Sequence, residues 1–390
     1  MRHFTIFNKN AGSFSSRETH KINEVLHSNL RCLEGKLVIT PNISFLEEVL
    51  EEFRTYTPDI LGIGGGDGTA AQILTSVEKH WGAIPNLIAP YALGTMNNWV
   101  TPFGLSDGLV DKVKKAMGIG ETKPLTLARY IAECTQEGRN LSTESMGLLD
   151  LNGEKGFNFG LGLVPKLVWS YYGKSIAQYQ RLEGELMQTT PDRYKQKYEY
   201  IFSEKTMLND MIEIVTNGKG DLLKKTGFVT AIIMGAKGIV YSLRFNSPEN
   251  AFYREPIHGK IYIDGKKIEL AEQPLNIYCA MYEQASLGLP WLTLCPSPEA
   301  RSYAKKMQVI ITFGEPLDVV RQIPHLFRGK KWGNNIYYSA SELEIVLDKP
   351  GIAQLDAEYK LSNRFVLKYD TTLNFIAPFR DSKEKGPNER

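Results

Sequence analysis

The chain has little cysteine and none of it forms a pattern. Its four cysteines, Cys32, Cys134, Cys279 and Cys295, lie far apart, with no C-x-x-C pair and no cysteine–histidine cluster. Neither a disulfide framework nor a zinc site is expected, and a reducing cytoplasm is the simplest home. The six histidines show no ligand spacing. An excess of one charge is missing too: 46 Lys and Arg against 44 Asp and Glu leave a formal charge of +2. A dedicated nucleic-acid binder usually carries a clustered basic surplus, so no nucleic-acid partner is expected. No uninterrupted run of about 18 apolar residues occurs, so no segment is expected to cross a bilayer as a helix. Met1 leads directly into a strand-like run, Phe4-Thr5-Ile6-Phe7, without the apolar core of a signal peptide. Asn42-Ile43-Ser44 and Asn140-Leu141-Ser142 match the glycosylation sequon, but without a secretion signal they read as chance. Gly173-Lys174-Ser175 has Val168 where a P-loop needs its first glycine. No internal repeat and no low-complexity segment is visible.

What is present is a glycine-rich turn, Gly64-Gly65-Gly66-Asp67-Gly68-Thr69. It follows an apolar run, Ile60-Leu61-Gly62-Ile63, and opens a helix-like stretch, Ala70-Ala71-Gln72-Ile73-Leu74. That order reads as strand, turn, helix start. Glycines let a backbone approach a ligand closely. The free N–H groups of such a turn, backed by a helix N-terminus, attract anions. Asp67 adds one carboxylate, where a magnesium ion could bridge to phosphate. Thr69 is expected to cap the helix. The chemistry is that of nucleotide phosphate.

The 390 residues suffice for two or three domains, and 42% hydrophobic with 23% charged residues is ordinary for a globular chain. Residues 1–124 alternate strand and helix patterns: strands at Phe4–Phe7, Lys36–Ile39, Ile60–Ile63 and Asn86–Pro90, helices at Arg17–Leu30 and Phe45–Phe53. Alternation with short links predicts a parallel sheet covered on both faces, with ligands at the carboxyl ends of its strands. Asn8, Thr40, Asp67 and Thr95 fall at those ends. Beyond Pro124 strand patterns take over. Gly147–Leu163 reads as one hairpin, turning at Asn152-Gly153, and Lys260–Leu270 as another, turning at Asp264-Gly265. Further strands fit Thr226–Met234, Leu275–Met281, Gln308–Phe313, Asn335–Ser339, Glu342–Leu347, Arg364–Lys368 and Leu373–Ala377. The expected fold is α/β + β. An α/β domain with a parallel sheet occupies 1–124, and an antiparallel β-sandwich domain occupies 125–369. A helical insert spans about 173–220, a closing segment 370–380 returns to the first domain, and the tail 381–390 is disordered.

Two further turns accompany the first. Asn8-Lys9-Asn10-Ala11-Gly12 resembles an N-P-x-S/A-G turn, and Leu93-Gly94-Thr95-Met96-Asn97-Asn98 resembles an L-G-T-x-N-D turn. The three together, in this order and spacing, resemble the diacylglycerol kinase catalytic-domain family, which includes bacterial lipid kinases and sphingosine and ceramide kinases. NAD kinases share the GGDGT turn but not the GTxN turn. Phe157-Asn158-Phe159-Gly160-Leu161-Gly162 and Gln354-Leu355-Asp356-Ala357-Glu358 resemble later family segments, the second its V-D-G-E motif. The resemblance implies ATP and Mg²⁺ as cofactors, with ATP at Asn8, Gly12, Thr40, Gly65, Gly66, Asp67, Gly68, Thr69, Ala70, Ala71, Gly94, Thr95 and Asn97. It implies Asp67 as the residue nearest phosphate and metal, and Asp356 as general base, with Glu358 shaping its field. Asp264 is the rival base, although a hairpin turn explains it better. Asn8 and Thr40 are equally well read as turn-formers.

The sequence also departs from that family. Asn98 stands where an Asp is usual, Thr126 where another Asp is frequent, and Ala357 replaces the glycine of V-D-G-E. Ala304-Lys305-Lys306-Met307-Gln308-Val309 lacks the carboxylates of the structural-metal stretch D-G-x-L-D-V, so that metal is not expected. The expected function is an ATP-dependent lipid kinase, cytoplasmic and peripheral at a membrane, acting on diacylglycerol, a sphingoid base or ceramide. Two alternatives stay open: a nucleotide- or lipid-binding relative with little catalysis, and a kinase for a soluble alcohol such as NAD.

Overall fold

A computed structural model describes residues 1–11, 16–27, 34–94, 98–105, 121–166, 253–281, 285–286, 293–294, 306–316, 318, 333–356 and 358–378. The first part alternates strand and helix: β1 (Arg2–Asn8), α1 (Ser16–His27), β2 (Glu34–Thr40), α2 (Ile43–Glu52), β3 (Ile60–Gly65), α3 (Asp67–Trp81) and β4 (Leu87–Ala92). The four strands are parallel, in the order β2-β1-β3-β4. The inner strands β1 and β3 are buried almost throughout, as expected of a parallel sheet covered on both faces. At Gly64 a Cβ would lie 2.0 Å from the Phe7 ring on β1, so only glycine lets these strands keep that ring between them. Asn42 caps α2, its side chain accepting from the Phe45 N–H at 2.9 Å.

A short 3-10 turn covers Asn98–Phe103, and then a helix follows that the strand-like reading beyond Pro124 does not anticipate: α4 (Lys123–Glu137). Pro124 sits in its first turn and Gly138 ends it in the left-handed region, φ 66°. Its apolar face, with Leu127, Ala128 and Ile131, joins the same core as Phe4, Ile63 and Ile88. Proline and two threonines over 122–126 mask a face whose period only tertiary burial makes evident.

The remaining strands are β5 (Thr143–Leu151), β6 (Glu154–Gly156), β7 (Asn158–Gly162), β8 (Gly259–Ile263), β9 (Lys266–Lys267), β10 (Asn276–Ala280), β11 (Ala285–Ser286), β12 (Thr293–Leu294), β13 (Met307–Thr312), β14 (Asn335–Ala340), β15 (Glu342–Leu355) and β16 (Glu358–Ile376). Apart from the β11–β12 pair they hydrogen-bond into one network with the parallel strands, in the order β14-β13-β10-β7-β15-β16-β4-β3-β1-β2, with β5, β6, β8 and β9 branching from it. Two expected strands, at 364–368 and 373–377, are one. β16 pairs antiparallel with β15 and β5, and its end lies parallel to β4, Asn374 and Phe375 opposite Leu87 and Ile88.

The hairpin expected over 147–163 is broken. β6 pairs with β5, but after Phe157 the chain leaves that partner and β7 pairs with β10 and β15. Asp264 (φ 48°) and Gly265 (φ 75°) form the expected tight turn. The Asp264 carboxylate accepts from the N–H groups of Ser341 and Glu342, which gives it a structural role. The expected strand 226–234, helical insert and C-terminal tail lie outside the described residues, as does Leu30 of the first expected helix.

Candidate active site

The glycine turn joins β3 to α3 as its sequence implies. Gly65 ends the strand and Gly66 is the N-cap, extended at φ −94°. Contrary to expectation Thr69 is not the cap, since Gly66 holds that position and offers no side chain. The first N–H groups of a helix have no partner within it, and here no side chain at the N-cap takes them up. Thr69 instead accepts from Asn8 Nδ2 at 2.9 Å, which ties the end of β1 to the start of α3. Asn8 also shapes its own turn, its Oδ1 accepting from the Asn10 N–H at 2.8 Å. A Cβ on Gly66 would lie 3.2 Å from Gly94 Cα, and the Leu93 N–H donates to Gly65 O. The turns after β3 and β4 therefore touch through bare backbone, a cradle that a side chain would fill.

Thr40 ends β2, buried, its hydroxyl donating to Phe7 O at 3.4 Å. Ala70 and Ala71 turn into the core rather than outward. Gly68 lies in the first turn of α3. Gly12, Thr95 and Asn97 lie outside the described residues. Asp67, at the head of α3, accepts from the Trp99 N–H at 2.9 Å.

Asp356 sits at the tip of the β15–β16 hairpin, between Leu355 and its partner Glu358, in the left-handed region at φ 51°. The tip is not solvent-facing, and only 5% of Asp356 is exposed. Its carboxylate accepts from the N–H groups of Phe157 (3.0 Å) and Asn158 (3.1 Å) and from Asn158 Nδ2, and its own N–H donates to Asn158 O at 2.8 Å. The break between β6 and β7 is what frees those amides: at Phe157 and Asn158 the chain changes partner and its N–H groups turn to the carboxylate. Burial pushes the Asp356 carboxyl well above the usual carboxylate range. The charge on Asp67 acts in the same direction, as does that of Glu358, against the two backbone N–H donors. Asp67 and Asp356, from opposite ends of the chain, thus share one electrostatic environment.

Glu358 faces the same region. It accepts from Gln72 Nε2 on α3 and lies 3.9 Å from Lys360 Nζ. Further along that helix the Thr75 hydroxyl accepts from the Lys155 N–H, and Glu78 meets Lys155 Nζ at 2.8 Å. Lys155, 3% exposed, also holds Asp150 (2.9 Å) and Asp370 (3.0 Å). Burial alone would weaken this ammonium, but three hydrogen-bonded carboxylates hold its pKa above the ordinary lysine value. Gln72, Thr75 and Glu78 recur every three residues, so they form one polar stripe on α3 facing β6 and β16.

Sequence reasoning missed Trp99, Gln72 and Lys155, and assigned no role to Phe157 or Asn158. The one available signal was Gln72, a polar residue inside an apolar helical run. Among the described residues, no group of three or more His, Cys, Asp or Glu side chains is arranged to hold a metal by itself. Asp67 therefore fits a cation shared with phosphate oxygens rather than a closed protein cage. The bare cradle and the uncapped amides fit the phosphates themselves.

A glycine-rich turn at the carboxyl edge of a parallel sheet is thus joined by a buried carboxylate from the antiparallel strands. Residues 2–130 match the diacylglycerol kinase catalytic domain, which bears out the family resemblance over that part of the chain. A comparison with curated proteins finds no match. Among solved structures, one from Bacillus anthracis str. Sterne, described as a "putative diacylglycerol kinase", is 13% identical. The match covers 96% of this chain and 97% of that one, with a TM-score of 0.58. A second, described as a diacylglycerol kinase from the same organism, is 13% identical over 96% of each chain, with a TM-score of 0.53. At that identity the likeness is one of fold, with parallel strands at the N-terminus and antiparallel strands after them. The family match points to a kinase.

Proposed function

We propose that this protein is an ATP-dependent lipid kinase that phosphorylates a free hydroxyl of diacylglycerol, a sphingoid base or ceramide. The observation that carries the reading is the placement of Asp356, a buried carboxyl with a raised pKa, within the electrostatic reach of Asp67 at the glycine turn. The turn amides and the head of α3 receive phosphate oxygens. ATP would supply the transferred phosphoryl group, and Asp67 would hold a Mg²⁺ ion that supplies the positive charge phosphoryl transfer needs. Asp356 takes the proton from the attacking alcohol at its carboxylate oxygen. A carboxyl lifted above its ordinary range is the better base, because its proton affinity lies closer to the operating pH. The bonds from Phe157 and Asn158 keep it aimed, and Glu358 adds negative charge beside it.

In this reading the parallel half holds the nucleotide. The antiparallel half, read as a β-sandwich domain, holds the lipid. No helix among the described residues is long and apolar enough to cross a membrane. The acceptor is then met at the bilayer surface, from outside. The test is transfer from labelled Mg-ATP to a panel of diacylglycerol, sphingosine, ceramide and NAD. Labelling of one lipid class, lost in Asp67→Ala, supports the proposal. Labelling of NAD alone makes the protein a kinase for a soluble alcohol, and nucleotide binding without transfer makes it a binding relative.

A further inference from the structure

Four aromatic rings fill the junction where the glycine turn and the Asp356 hairpin meet. Trp99 stacks on Phe157, centroids 5.8 Å apart and planes at 21°. Phe375, at the end of β16, stands nearly perpendicular to both at 6.1 Å and stacks on Phe103 at 4.7 Å. All four are buried, none more than 1% exposed. The first two rings belong to the residues whose backbones hold the acidic groups. The Trp99 N–H donates to Asp67, and the Phe157 N–H donates to Asp356. A chain of direct contacts runs from one carboxylate to the other: Asp67, Trp99, Phe157, Asp356. The indole Nε1 is buried and finds no hydrogen-bond partner among the described residues.

From this we infer that Trp99 is a positioning residue, and that its stack on Phe157 sets the separation between the phosphate-site carboxylate and the base. The inference rests on the kinase reading for its catalytic meaning and on geometry alone for its structural content. Offset-stacked rings keep their centroids within about 4.5–7 Å, and close packing around them resists adjustment. Phe375 clamps the stack from the strand that carries the hairpin, so a shift in either half reaches both carboxylates. Misplacement of a catalytic group by about 1 Å can cost about 100-fold in rate.

The test compares Trp99→Phe, which keeps a stacking face, with Trp99→Leu, which does not. Both keep the backbone N–H to Asp67. Turnover of the lipid acceptor, KM for ATP and nucleotide affinity by calorimetry are measured on protein shown to be folded by its melting curve. The expected result is a kcat about 100-fold lower in Trp99→Leu with nucleotide affinity within about threefold of wild type, and kcat largely recovered in Trp99→Phe. Phe157→Leu, and the double variant with Trp99→Leu, should lose no more than the single, because one stack is broken in each. An unchanged kcat in folded Trp99→Leu overturns the inference. So does an equal fall in nucleotide affinity, which would make Trp99 only a support of the phosphate turn. If Trp99→Leu does not fold, Phe157→Leu decides by the same criteria. Crystal structures of wild type and the folded leucine variant give a readout independent of activity. An unchanged separation of the Asp67 and Asp356 carboxylates refutes the positioning role. A changed separation in an enzyme that phosphorylates nothing refutes the kinase reading alone.

Discussion

Asp356 is the residue on which chemistry and stability pull in opposite directions. Its burial favours the protonated form, yet a general base must be ionised. Turnover should therefore rise with pH along a single-proton limb centred above the ordinary carboxylate range, read as kcat/KM against pH. Asp356→Asn keeps the shape and should leave ATP affinity intact while lowering turnover by about 10²–10⁴, read as separate kcat and nucleotide Kd values. A fully active Asp356→Asn would remove it from the mechanism. His3 shows the opposite sign of linkage. Burial, aided by the nearby His27, pushes its imidazole down to about 4. The folded state thus prefers the neutral ring. Its contribution to stability is complete above about pH 6.5, where the unfolded chain no longer binds the proton, and is lost as pH falls toward 4. The cost over that window is about 3 kcal/mol. Urea unfolding at pH 7 and pH 4.5 should show the loss in wild type and a smaller one in His3→Leu.

At the scale of elements, α3 carries the argument. Its first turn faces the phosphate cradle, and its polar stripe of Gln72, Thr75 and Glu78 faces β6 and β16. Lys155 is the anchor of that stripe, gathering carboxylates from α3, β5 and β16. Lys155→Met would leave three carboxylates around an apolar chain and should destabilise the protein by about 3–5 kcal/mol. Lys155→Arg, with the charge retained, should lose less, and paired denaturant curves distinguish the two. The helix and its glycine turn were legible because their signals are local: an apolar run, four glycines and a resumption of helical spacing. α4 was less so, because a proline and threonines obscure its period and only packing against α1 and β4 makes its buried face plain. The broken hairpin at Phe157 was not legible at all. Its sequence satisfies a continuous strand, and the break shows only in the pairing, where β7 sits between β10 and β15 instead of beside β5.

Across the whole molecule, β16 is the strand that makes one object of two halves. It starts at the base hairpin, runs 19 residues, and finishes beside β4 of the parallel sheet. A chain ending at Tyr369 would lack Leu373, Phe375 and Ile376, all buried in the core shared with β1, β3 and α4. Losing one buried phenylalanine side chain costs about 3–5 kcal/mol, so losing these three exceeds what a domain of ordinary stability tolerates. Such a truncated protein should give no cooperative melting transition and should bind a hydrophobic dye, whereas one ending at Pro378 should melt cooperatively.

The amino-acid sequence by itself determined the glycine turn, the alternation of strands and helices around it and the two-residue turn at Asp264-Gly265. Turn chemistry and side-chain period act over a few residues and need no partner. It also marked Asp67 and Asp356 as acidic groups of interest, through their motifs. Only the tertiary structure decided that the charge of Asp67 bears on Asp356, that Asp356 is buried under amides freed by a break in another strand, and that Trp99 and Phe157 link the two. Those facts depend on which strand pairs with which across more than two hundred residues. Pairing at that distance follows from burial of the whole core, which no local stretch of sequence encodes.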